Sequence, residues 1–455
     1  MAEQKADAVI IGAGLTGLVT AYCLSRKGKD VKIIEKRDRP GGVIQSMEKS
    51  GFLYEKGPNT GVLGNPEVIQ LFDDLKDECK LEKARAEAKK RLVLKNGKWE
   101  PLPTGLMEAI KTPLFSLGDK FRILGEPFRK PGKNPDENLA DMVKRRMGKS
   151  FLDYAVDPFI LGIYAGDPGY LIPKYALPKL YNLEQNYGSF IKGAIKKKSE
   201  PKTELEKRAD RSVFSVKGGL ESLVGALYNK TGTEKFIFNA ASVTTEYHGK
   251  ELIGVHFKLN GKNQTIETSK VIITTGAHEM RQILPFIKTT TMDTIDNLQY
   301  AKVIEVAVGY RKWEGIALDA FGGLIPFREN RDILGVLFLS SFLENRAPDG
   351  GALMAVFMGG MRKPELMQLS DEQVKKILTH EFKELMGVHE FQPDLLEITR
   401  YEHAIPQYGI DSKKRLEAIS KIEREYPGLI IAGNSIEGIG IADRIKQGML
   451  KAREI

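Results

Sequence analysis

Cysteine is scarce in this sequence, whose 455 residues include only Cys23 and Cys79. Two distant thiols cannot build a disulfide framework, which favours a reduced, cytoplasmic setting. No apolar run reaches the about 18 residues of a transmembrane helix, and Met1–Ala6 lacks the charged-then-apolar layout of a signal peptide. The six histidines form no close pair and the cysteines have no metal-type spacing, so we expect no metal site.

Charge, by contrast, is plentiful and unbalanced, with a formal net charge of +9. This excess favours anionic small molecules or an anionic membrane surface as partners. We expect no nucleic acid partner, because no recognition motif accompanies the basic residues. The chain is too long for one comfortable core, which predicts roughly two or three lobes. No Ser/His/Asp triad or carboxylate pair stands out, so no acid or base is assigned to catalysis.

A glycine-rich turn near the start of the chain lies between a buried strand and a helix. The apolar run Asp7–Ile11 predicts a parallel strand, and Leu15–Ser25 predicts the helix. A second apolar strand, Val31–Ile34, ends at the acidic residue Glu35. These elements make a complete βαβ unit, which predicts a nucleotide site.

Three glycines in that turn have separate tasks. Gly12 permits the tight bend, Gly14 lets the backbone approach a pyrophosphate, and Gly17 lets helix and strand pack closely. The helix N-terminus adds N–H donors and about half a positive charge for the phosphates. Glu35 would accept hydrogen bonds from ribose hydroxyls, the alternative being a solvated acid at a strand end.

Two more glycine-rich segments indicate that the nucleotide is long. The pair Gly41-Gly42 follows the ribose acid at once, where an NAD enzyme requires no second glycine pair. Near the other end of the chain, the segment from Gly433 to Gly440 is again rich in glycine. A cofactor bound by both ends of the chain favours FAD over NAD.

Several ordered motifs over the full length resemble the protoporphyrinogen oxidase family of FAD enzymes, in the flavin amine oxidase superfamily. They are Asp157–Pro168, Lys217–Leu220, Ile405–Tyr408 and Glu437–Ile441. The resemblance implies an α/β fold, with a Rossmann-like FAD-binding domain assembled from separated segments, a mixed α+β substrate domain and a helical insertion. The FAD-binding domain is expected at residues 1–84, 211–286 and 405–455, the substrate domain at 85–104 and 287–404, and the insertion at 105–210.

The resemblance also implies that FAD is bound noncovalently. A thioether near the C-terminus is chemically impossible, because no cysteine follows Cys79. The family further places an adenine contact on the backbone of Val243. The residues predicted to bind the cofactor are Gly12, Gly14, Leu15, Thr16, Gly17, Glu35, Lys36, Gly42, Gly57, Pro58, Asn59, Thr60, Val243, Gly438, Ile439, Gly440 and Ile441.

The activity implied by the resemblance is the oxidation of protoporphyrinogen IX to protoporphyrin IX in haem biosynthesis. A hydride passes from a methylene bridge to flavin N5, and dioxygen then reoxidises the flavin with release of hydrogen peroxide. Arg91 is expected to bind a propionate, since a guanidinium offers a bidentate fork. Leu324, Leu337 and Phe357 are expected to sandwich a pyrrole ring. Without the resemblance, Arg91 reads as a solvated strand-edge residue and the other three as ordinary core.

Three alternatives to this activity stay open. A flavin-type coproporphyrinogen III oxidase uses a substrate with four propionates, although the segment from Phe321 to Gly360 looks more like the protoporphyrinogen branch. An amine oxidase or carotenoid desaturase shares the fold, which does not fix the reaction. A porphyrin or flavin carrier without catalysis is the third.

Membrane docking is the second role implied for the helical insertion. Thr112–Leu117, with Lys111, Lys120, Arg122 and Arg129, is expected to form an apolar, basic surface for an anionic cytoplasmic membrane. The alternative is an internal helical lobe. A homodimer is compatible with the resemblance, and the sequence leaves the oligomeric state open.

Overall fold

The computed structural model describes residues 4–103, 108, 111–249 and 252–455. Its centre is a five-stranded sheet in which every pairing is parallel. The strands, in spatial order, are Phe236–Ile237, Val31–Ile34, Ala8–Ile11, Val271–Ile273 and Leu429–Ile431. Three distant stretches of the chain therefore meet in one sheet.

Helices cover both faces of this parallel sheet. Ala8 and Ile10 point into a core with the helices Leu15–Arg26, Pro66–Asp74, Glu221–Thr231 and Ile441–Lys451. Because side chains alternate along a strand, Val9 and Ile11 point into a second core on the other face. That core contains the helices Ala277–Ile283, Thr289–Asp296 and Ser412–Glu425. This arrangement confirms the predicted Rossmann-like α/β fold.

Three smaller sheets surround the parallel sheet. The four-stranded one has the order Gln4–Ala6, Lys262–Thr268, Ile253–Leu259 and Ala241–Tyr247. The three-stranded one has the order Gly61–Val62, Val213–Val216 and Leu81–Lys83. A hairpin pairs Gln45–Lys49 with Phe52–Lys56. The hairpin leads directly into the predicted cofactor residues 57–60.

A seven-stranded, mostly antiparallel sheet forms the second large body. Its strands, in spatial order, are Leu395–Pro406, Tyr300–Tyr310, Ala352–Gly359, Ile333–Leu337, Gly322–Leu324, Arg91–Lys95 and Lys98–Pro101. One face packs on the helix Asp371–Met386, through Leu378 and Phe382 among others. Ser370 caps that helix, because its hydroxyl accepts from the N–H of Gln373 at 3.3 Å.

Most of the remaining helices lie between the strands Lys98–Pro101 and Val213–Val216. They are Leu117–Leu124, Leu139–Arg146, Lys149–Phe151, the π-helical turn Leu152–Val156, Asp157–Tyr164, Pro173–Ala176, Pro178–Tyr187, Phe190–Ser199 and Glu204–Arg208. Arg146, fully buried, holds part of this group together through ion pairs with Glu126 and with Glu184, the latter at 2.7 Å. Shorter pieces are Ala86–Lys89, Glu126–Phe128, Thr233–Lys235, Phe327–Glu329, Leu339–Phe342 and Pro364–Gln368.

The apolar surface expected at Thr112–Leu117 is corrected by the structure. Leu114 is fully buried and Phe115 nearly so, because both pack against Val93 and Tyr154. Leu117, the last residue of that segment, is exposed, and the exposed apolar side chains continue beyond it at Phe121, Leu124 and Phe128; all four are 60–85% exposed. Within the described ranges, no helix has the length and apolar character needed to cross a bilayer.

The predicted domain bounds stay a prediction. The seven-stranded sheet draws strands from both sides of the helical stretch, as Arg91–Lys95 and Gly322–Leu324 pair directly. The helix Thr289–Asp296, which follows the expected bound at residue 286, packs in a core of the parallel sheet. The hairpin and the loop after it lie where the two large sheets approach each other.

Candidate active site

The carboxyl ends of the parallel strands bring the N-terminal glycine turn and the C-terminal segment to one edge. Gly12 follows the central strand, and Thr274 follows the neighbouring strand Val271–Ile273. The hydroxyl of Thr274 lies within hydrogen-bond distance of the carbonyl oxygens of Ile11 and Gly12, at 3.1 and 2.9 Å. Ligands of open α/β sheets bind at this edge, so we expect the nucleotide to bind here.

The glycines of the turn differ in what constrains them. Gly12 has a φ of +102°, which disfavours any side chain. A Cβ at Gly17 would lie 2.1 Å from the carbonyl oxygen of Gly12, so the turn and the helix touch there. A Cβ at Gly14 would meet no protein atom within 4 Å. The space beside Gly14 is therefore open, as the approach of a pyrophosphate requires.

The glycine pair Gly41-Gly42 lies directly against the N-terminal glycine turn. A Cβ at Gly42 would lie 3.2 Å from the Cα of Gly14, and the Gly41 N–H donates to the Ala13 carbonyl at 2.8 Å. Gly14 is the N-cap of the first helix and supplies no side chain to its free N–H groups. The N–H groups at Leu15 and Thr16 are thus available to an anion in front of the helix.

Glu35 is buried and holds the glycine turn. One carboxylate oxygen accepts from the N–H of Ala13 at 2.8 Å, and the other accepts from the N–H of Arg37 at 3.0 Å. Since a carboxylate has about four lone-pair positions, both oxygens retain capacity for a ribose hydroxyl. Lys36 instead pairs with Glu279. The ribose contact of Glu35 and the cofactor contact of Lys36 stay predictions.

Val243 lies in an irregular part of the four-stranded sheet. The pairing register shifts between Ala241 and Thr244, and Ser242 has a φ of +53°. Such a bulge removes backbone groups from the regular ladder. Ala240, just before it, donates its N–H to the carbonyl of Glu35 at 3.0 Å. The predicted backbone contact to adenine is therefore placed close to the predicted ribose contact.

The C-terminal glycine segment forms the other side of the crevice. Gly440 caps the helix Ile441–Lys451, which packs along the first helix, and Thr20 donates to the carbonyl of Gly448 at 3.2 Å. The buried hydroxyl of Tyr408 lies 2.6 and 3.1 Å from the carbonyl oxygens of Asn434 and Gly438. Burial raises the pKa of Tyr408, so its hydroxyl keeps the proton it donates.

Several buried polar atoms along these segments have no hydrogen-bond partner among the described residues. They are Thr16 Oγ1, Asn59 Oδ1, Thr275 Oγ1 and Ser435 Oγ. Unpaired buried polar atoms are costly, and a nucleotide carries hydroxyl and phosphate groups that would satisfy them. Together with the open space at Gly14, these atoms fit a bound dinucleotide. The side chain of Ile441 packs into a core of the parallel sheet and that of Ile439 packs against the helical group. The cofactor contacts of Gly438, Ile439, Gly440 and Ile441 stay predictions.

One face of the seven-stranded sheet collects all four predicted substrate residues. The register pairs Arg91 with Gly322, Gly322 with Leu337, and Leu324 with Gly335. Gly335 in turn pairs with Phe357. Residues paired across a ladder share a face, so Arg91, Leu324, Leu337 and Phe357 lie on the face opposite the helix Asp371–Met386.

A gap in this face separates Leu324 from Phe357. Gly335 stands between them and has no side chain, and a Cβ there would lie 2.7 Å from the carbonyl oxygen of Gly323. Neighbouring strands are ~4.8 Å apart, which puts the two residues roughly 10 Å from each other. Van der Waals contact takes about 3.5–4.0 Å on each side. This spacing is about what two side chains need to sandwich one flat ring, which fits the predicted roles of Leu324 and Phe357.

Arg91 lies at the exposed edge of the slot. Its guanidinium lies 5.6 Å from the ring centre of Phe321, which stacks on Phe342. No carboxylate among the residues described lies within ion-pair distance of Arg91. At the other end, Gly162 of the helix Asp157–Tyr164 touches Leu324, since a Cβ there would lie 2.5 Å from the leucine side chain. The site is an apolar slot with a cation at one end.

Two features of the slot were not predicted from the sequence. Phe159 and Ile163 are 39% and 43% exposed on the helix that borders Leu324. Their segment was recognised, but no role was given to them. Glu305 pairs with Phe357 and is buried on the same face. A lone acid inside the apolar run Val303–Val308 was the signal available, although its partners are about 250 residues away in sequence.

Burial, with a smaller contribution from the nearby Glu55, raises the pKa of Glu305 to about 8. Its two carboxyl oxygens accept from the backbone N–H of Gly57 at 2.9 Å and from Asn59 Nδ2 at 2.6 Å. Gly57 has a φ of +99°, and a Cβ there would lie 2.4 Å from the Val43 carbonyl oxygen. The predicted cofactor residues Gly57 to Thr60 are thereby fixed to the sheet that carries the slot.

The crevice and the slot define a flavin enzyme, and the chain belongs to the flavin containing amine oxidoreductase family, which matches residues 15–455. It is 30% identical to the mitochondrial protoporphyrinogen oxidase of Nicotiana tabacum, over 96% of this chain and 92% of that one. It is 27% identical to the coproporphyrinogen III oxidase of Bacillus subtilis (strain 168), over 98% and 97%. These similarities confirm the predicted family resemblance and make the protein a flavin-dependent oxidoreductase.

A solved structure from Exiguobacterium sp. 255-15 has the same fold. Its TM-score to this chain is 0.81, with 20% sequence identity, and the match covers 100% of this chain and 99% of that one. At this identity the similarity shows the fold alone. It extends over the parallel sheet, the seven-stranded sheet and the helical stretch between them.

Proposed function

We propose that this protein oxidises protoporphyrinogen IX to protoporphyrin IX with noncovalent FAD and dioxygen. The observation that carries the proposal is the apolar slot around Gly335, which ends at Arg91 and adjoins the nucleotide crevice through Gly57 and Asn59. The named activities of the tobacco and Bacillus relatives support a porphyrinogen as substrate. The overall change is protoporphyrinogen plus three dioxygen, giving protoporphyrin plus three hydrogen peroxide.

FAD is the flavin form that suits the crevice, because both ends of the chain line it. A flavin bound there would supply the two-electron redox chemistry that each of the three oxidations needs and that protein side chains cannot supply. A covalent link has no plausible thiol: Cys79 is buried with its pKa raised to about 11, and burial also raises the pKa of Cys23. Acid-denatured protein should therefore release its FAD, leaving the chain at its unmodified mass.

The residues of this chain bind and orient the substrate. Arg91 would hold a propionate, while Leu324, Leu337 and Phe357 would grip one pyrrole and exclude water from the reacting bridge. Substrate positioning of this kind removes orientational freedom before the reaction. No side chain is assigned as acid or base. Phe159 and Ile163 would cover the outer part of the macrocycle.

The decisive experiment is an anaerobic titration. Purified yellow protein is mixed with protoporphyrinogen IX under nitrogen, and the flavin absorbance near 450 nm is followed. Bleaching, followed by recovery of the yellow colour and formation of protoporphyrin when oxygen is admitted, is the expected result. Binding without bleaching would identify a carrier instead. Bleaching by a primary amine but not by porphyrinogen would identify an amine oxidase.

Coproporphyrinogen III is the competing substrate, and the charges around the slot favour protoporphyrinogen over it. The cations beyond Leu324 are already paired: Arg328 with Asp153 at 2.9 Å, and Arg362 with Asp157. Arg91, in contrast, has no ion-pair partner among the described residues, and a mouth with few unpaired cations suits two propionates better than four. Turnover of the two porphyrinogens in one assay decides the matter, and faster oxidation of coproporphyrinogen would reverse the assignment.

We also propose that the exposed side chains of Leu117, Phe121, Leu124 and Phe128 dock on an anionic membrane. Basic residues lie beside them: Lys192 Nζ is 5.5 Å from the ring centre of Phe128, and Arg122 and Arg129 belong to the same stretch. Apolar side chains flanked by cations are typical of interfacial membrane binding.

Liposome sedimentation tests this surface. The protein should pellet with phosphatidylserine-containing vesicles at low salt, and the double variant Phe121→Ser, Phe128→Ser should stay in the supernatant. Ile410→Ser is the control, since Ile410 is 52% exposed elsewhere on the surface. Equal pelleting of both variants would reject the assignment.

A further inference from the structure

Glu305 is an acid in an otherwise apolar and uncharged part of the sheet. It lies in the same row of the ladder as Leu324 and Phe357, and it is only 4% exposed. The buried acids Glu55 and Glu381 each have an arginine within 3.4 Å, whereas Glu305 has no cation within ion-pair distance among the described residues. Its carboxyl is held by hydrogen bonds from Gly57 and Asn59 alone.

The side-chain amide of Asn59 has a donor end, Nδ2, and an acceptor end, Oδ1. The donor end contacts Glu305. Nδ2 donates to Glu305 at 2.6 Å and, at a longer 3.4 Å, to the carbonyl of Gly57, while Oδ1 is buried and has no partner among the described residues. Asn59 is 5% exposed, so bulk water does not satisfy Oδ1. Asn59 belongs to the loop predicted to contact the flavin, between the crevice and the slot. Its unpaired end is thus a hydrogen-bonding group for a bound molecule.

We propose that Glu305 is a positioning residue that sets which end of the Asn59 amide faces the bound flavin and substrate. An ionised Glu305 accepts from Nδ2 and turns the acceptor Oδ1 toward them. A protonated Glu305 can donate to Oδ1, which turns the donor Nδ2 toward them. The inference rests on the proposed function only in placing Asn59 beside the flavin. No bond is made or broken beyond the transfer of the carboxyl proton to solvent.

The groups around Glu305 are few. From the hairpin strand Phe52–Lys56, Glu55 interacts with Glu305. In the outer strand Leu395–Pro406, the uncharged Thr399 pairs with Glu305, and Tyr401 interacts with it electrostatically. The neighbouring strand contributes the uncharged Phe357. Arg37 and Arg39 interact with Tyr401. Burial and Glu55 together raise the pKa of Glu305 to about 8. The proton of Glu305 is therefore released at a pH where the spectrum of a flavoprotein can be recorded.

The test follows the visible absorption spectrum of the bound flavin from pH 6 to pH 9, without substrate. Wild type should show a spectral shift with one midpoint near pH 8, because the hydrogen bond to the flavin changes there. Glu305→Gln should abolish that midpoint. Glu381→Gln is the matched control: Glu381 is a buried glutamate on the helix covering the other face, and this variant should keep the midpoint. A midpoint that survives in Glu305→Gln would overturn the proposal.

A second variant covers the case in which Glu305→Gln does not fold. Asn59→Ala leaves Glu305 in place and removes the amide, so the flavin that the purified variant retains, or takes up when FAD is added in excess, should show no spectral midpoint. A midpoint retained in Asn59→Ala would also overturn the proposal. The readout needs bound flavin but no porphyrinogen. A protein that shows the midpoint and yet fails to oxidise porphyrinogen would therefore separate this inference from the proposed function.

Discussion

Arg91 lies at the open end of the slot, and its loss should weaken substrate binding more than it slows the reaction. A charge-assisted hydrogen bond contributes about 1.5–3 kcal/mol, so Arg91→Ala should raise KM for protoporphyrinogen by roughly 10- to 100-fold. The KM of Arg91→Lys should lie between those of wild type and Arg91→Ala, because a lysine ammonium is charged but lacks the planar fork of a guanidinium. Steady-state kinetics measures both. Lys98→Ala, at the hairpin end of the adjacent strand, is the control and should leave KM unchanged.

Glu305 should also make the stability of the protein depend on pH. The unfolded chain releases this proton near pH 4.5, whereas the folded protein holds it up to about pH 8. Between those values the folded state binds more protons, so the free energy of unfolding falls as pH rises, by at most ~1.4 kcal/mol per unit. Urea unfolding at pH 5, 6.5 and 8 should show a smaller fall in Glu305→Gln.

The exposed Glu204 provides the comparison for that measurement. Its side chain is 84% exposed, so Glu204→Gln should reproduce the wild-type dependence on pH. An identical fall in wild type and Glu305→Gln would mean that Glu305 does not keep its proton in the folded protein.

Where a motif or a resemblance named the position, prediction from sequence selected residues that the structure brings together. Leu324, Leu337 and Phe357 were carried over by resemblance, and the structure places them on one face with Arg91. Their roles stay predictions. Glu305 was missed because its significance comes from Asn59, 246 positions away, and no local pattern encodes that contact.

At the scale of one element, the first helix contacts the glycine turn so closely at Gly17 that there is no space for a side chain. A Cβ at Gly17 would lie 2.1 Å from the Gly12 carbonyl oxygen, so Gly17→Ala must displace helix or turn. We expect a loss of about 1–3 kcal/mol of stability and a lower flavin content per chain. Chemical unfolding and the ratio of absorbance at 450 nm to that at 280 nm measure the two effects.

Gly225→Ala is the matched control for that element. Gly225 lies inside the helix Glu221–Thr231, and a Cβ there would meet nothing within 4 Å. Alanine should stabilise the helix by about 0.4–1 kcal/mol and leave the flavin content unchanged. Equal flavin content in Gly17→Ala and wild type would show that the turn tolerates a side chain.

At the same scale, local pattern predicted the strands and helices of the parallel sheet well. The apolar runs Asp7–Ile11 and Val31–Ile34 contain the strands Ala8–Ile11 and Val31–Ile34. The helix expected at Leu15–Ser25 extends from Leu15 to Arg26. The surface predicted at Thr112–Leu117 was wrong for Leu114 and Phe115, because composition does not reveal orientation, whereas Leu117 is exposed as expected. Leu114 and Phe115 turn inward to Val93, while Phe121 turns outward.

The whole molecule should depend on its cofactor for stability, because the crevice joins three distant stretches of chain. A ligand that binds only the folded state adds about 2.7 kcal/mol at 100 times its Kd. Protein stripped of flavin should therefore melt several degrees lower, and added FAD should restore the melting temperature. FMN, which lacks the adenosine half, should restore less. Equal rescue by both would argue against a dinucleotide site.

Neighbouring strands of the parallel sheet are far apart in sequence, so during synthesis the sheet can be completed only late. The central strand Ala8–Ile11 leaves the ribosome early, but its neighbour Val271–Ile273 and the edge strand Leu429–Ile431 follow hundreds of residues later. Contacts so distant in sequence form slowly. Until then, the first strands have one edge with unpaired backbone groups. The flavin crevice is complete only after the helix Ile441–Lys451 has been made. Chaperone supply and flavin supply at that late moment should govern the yield of active protein.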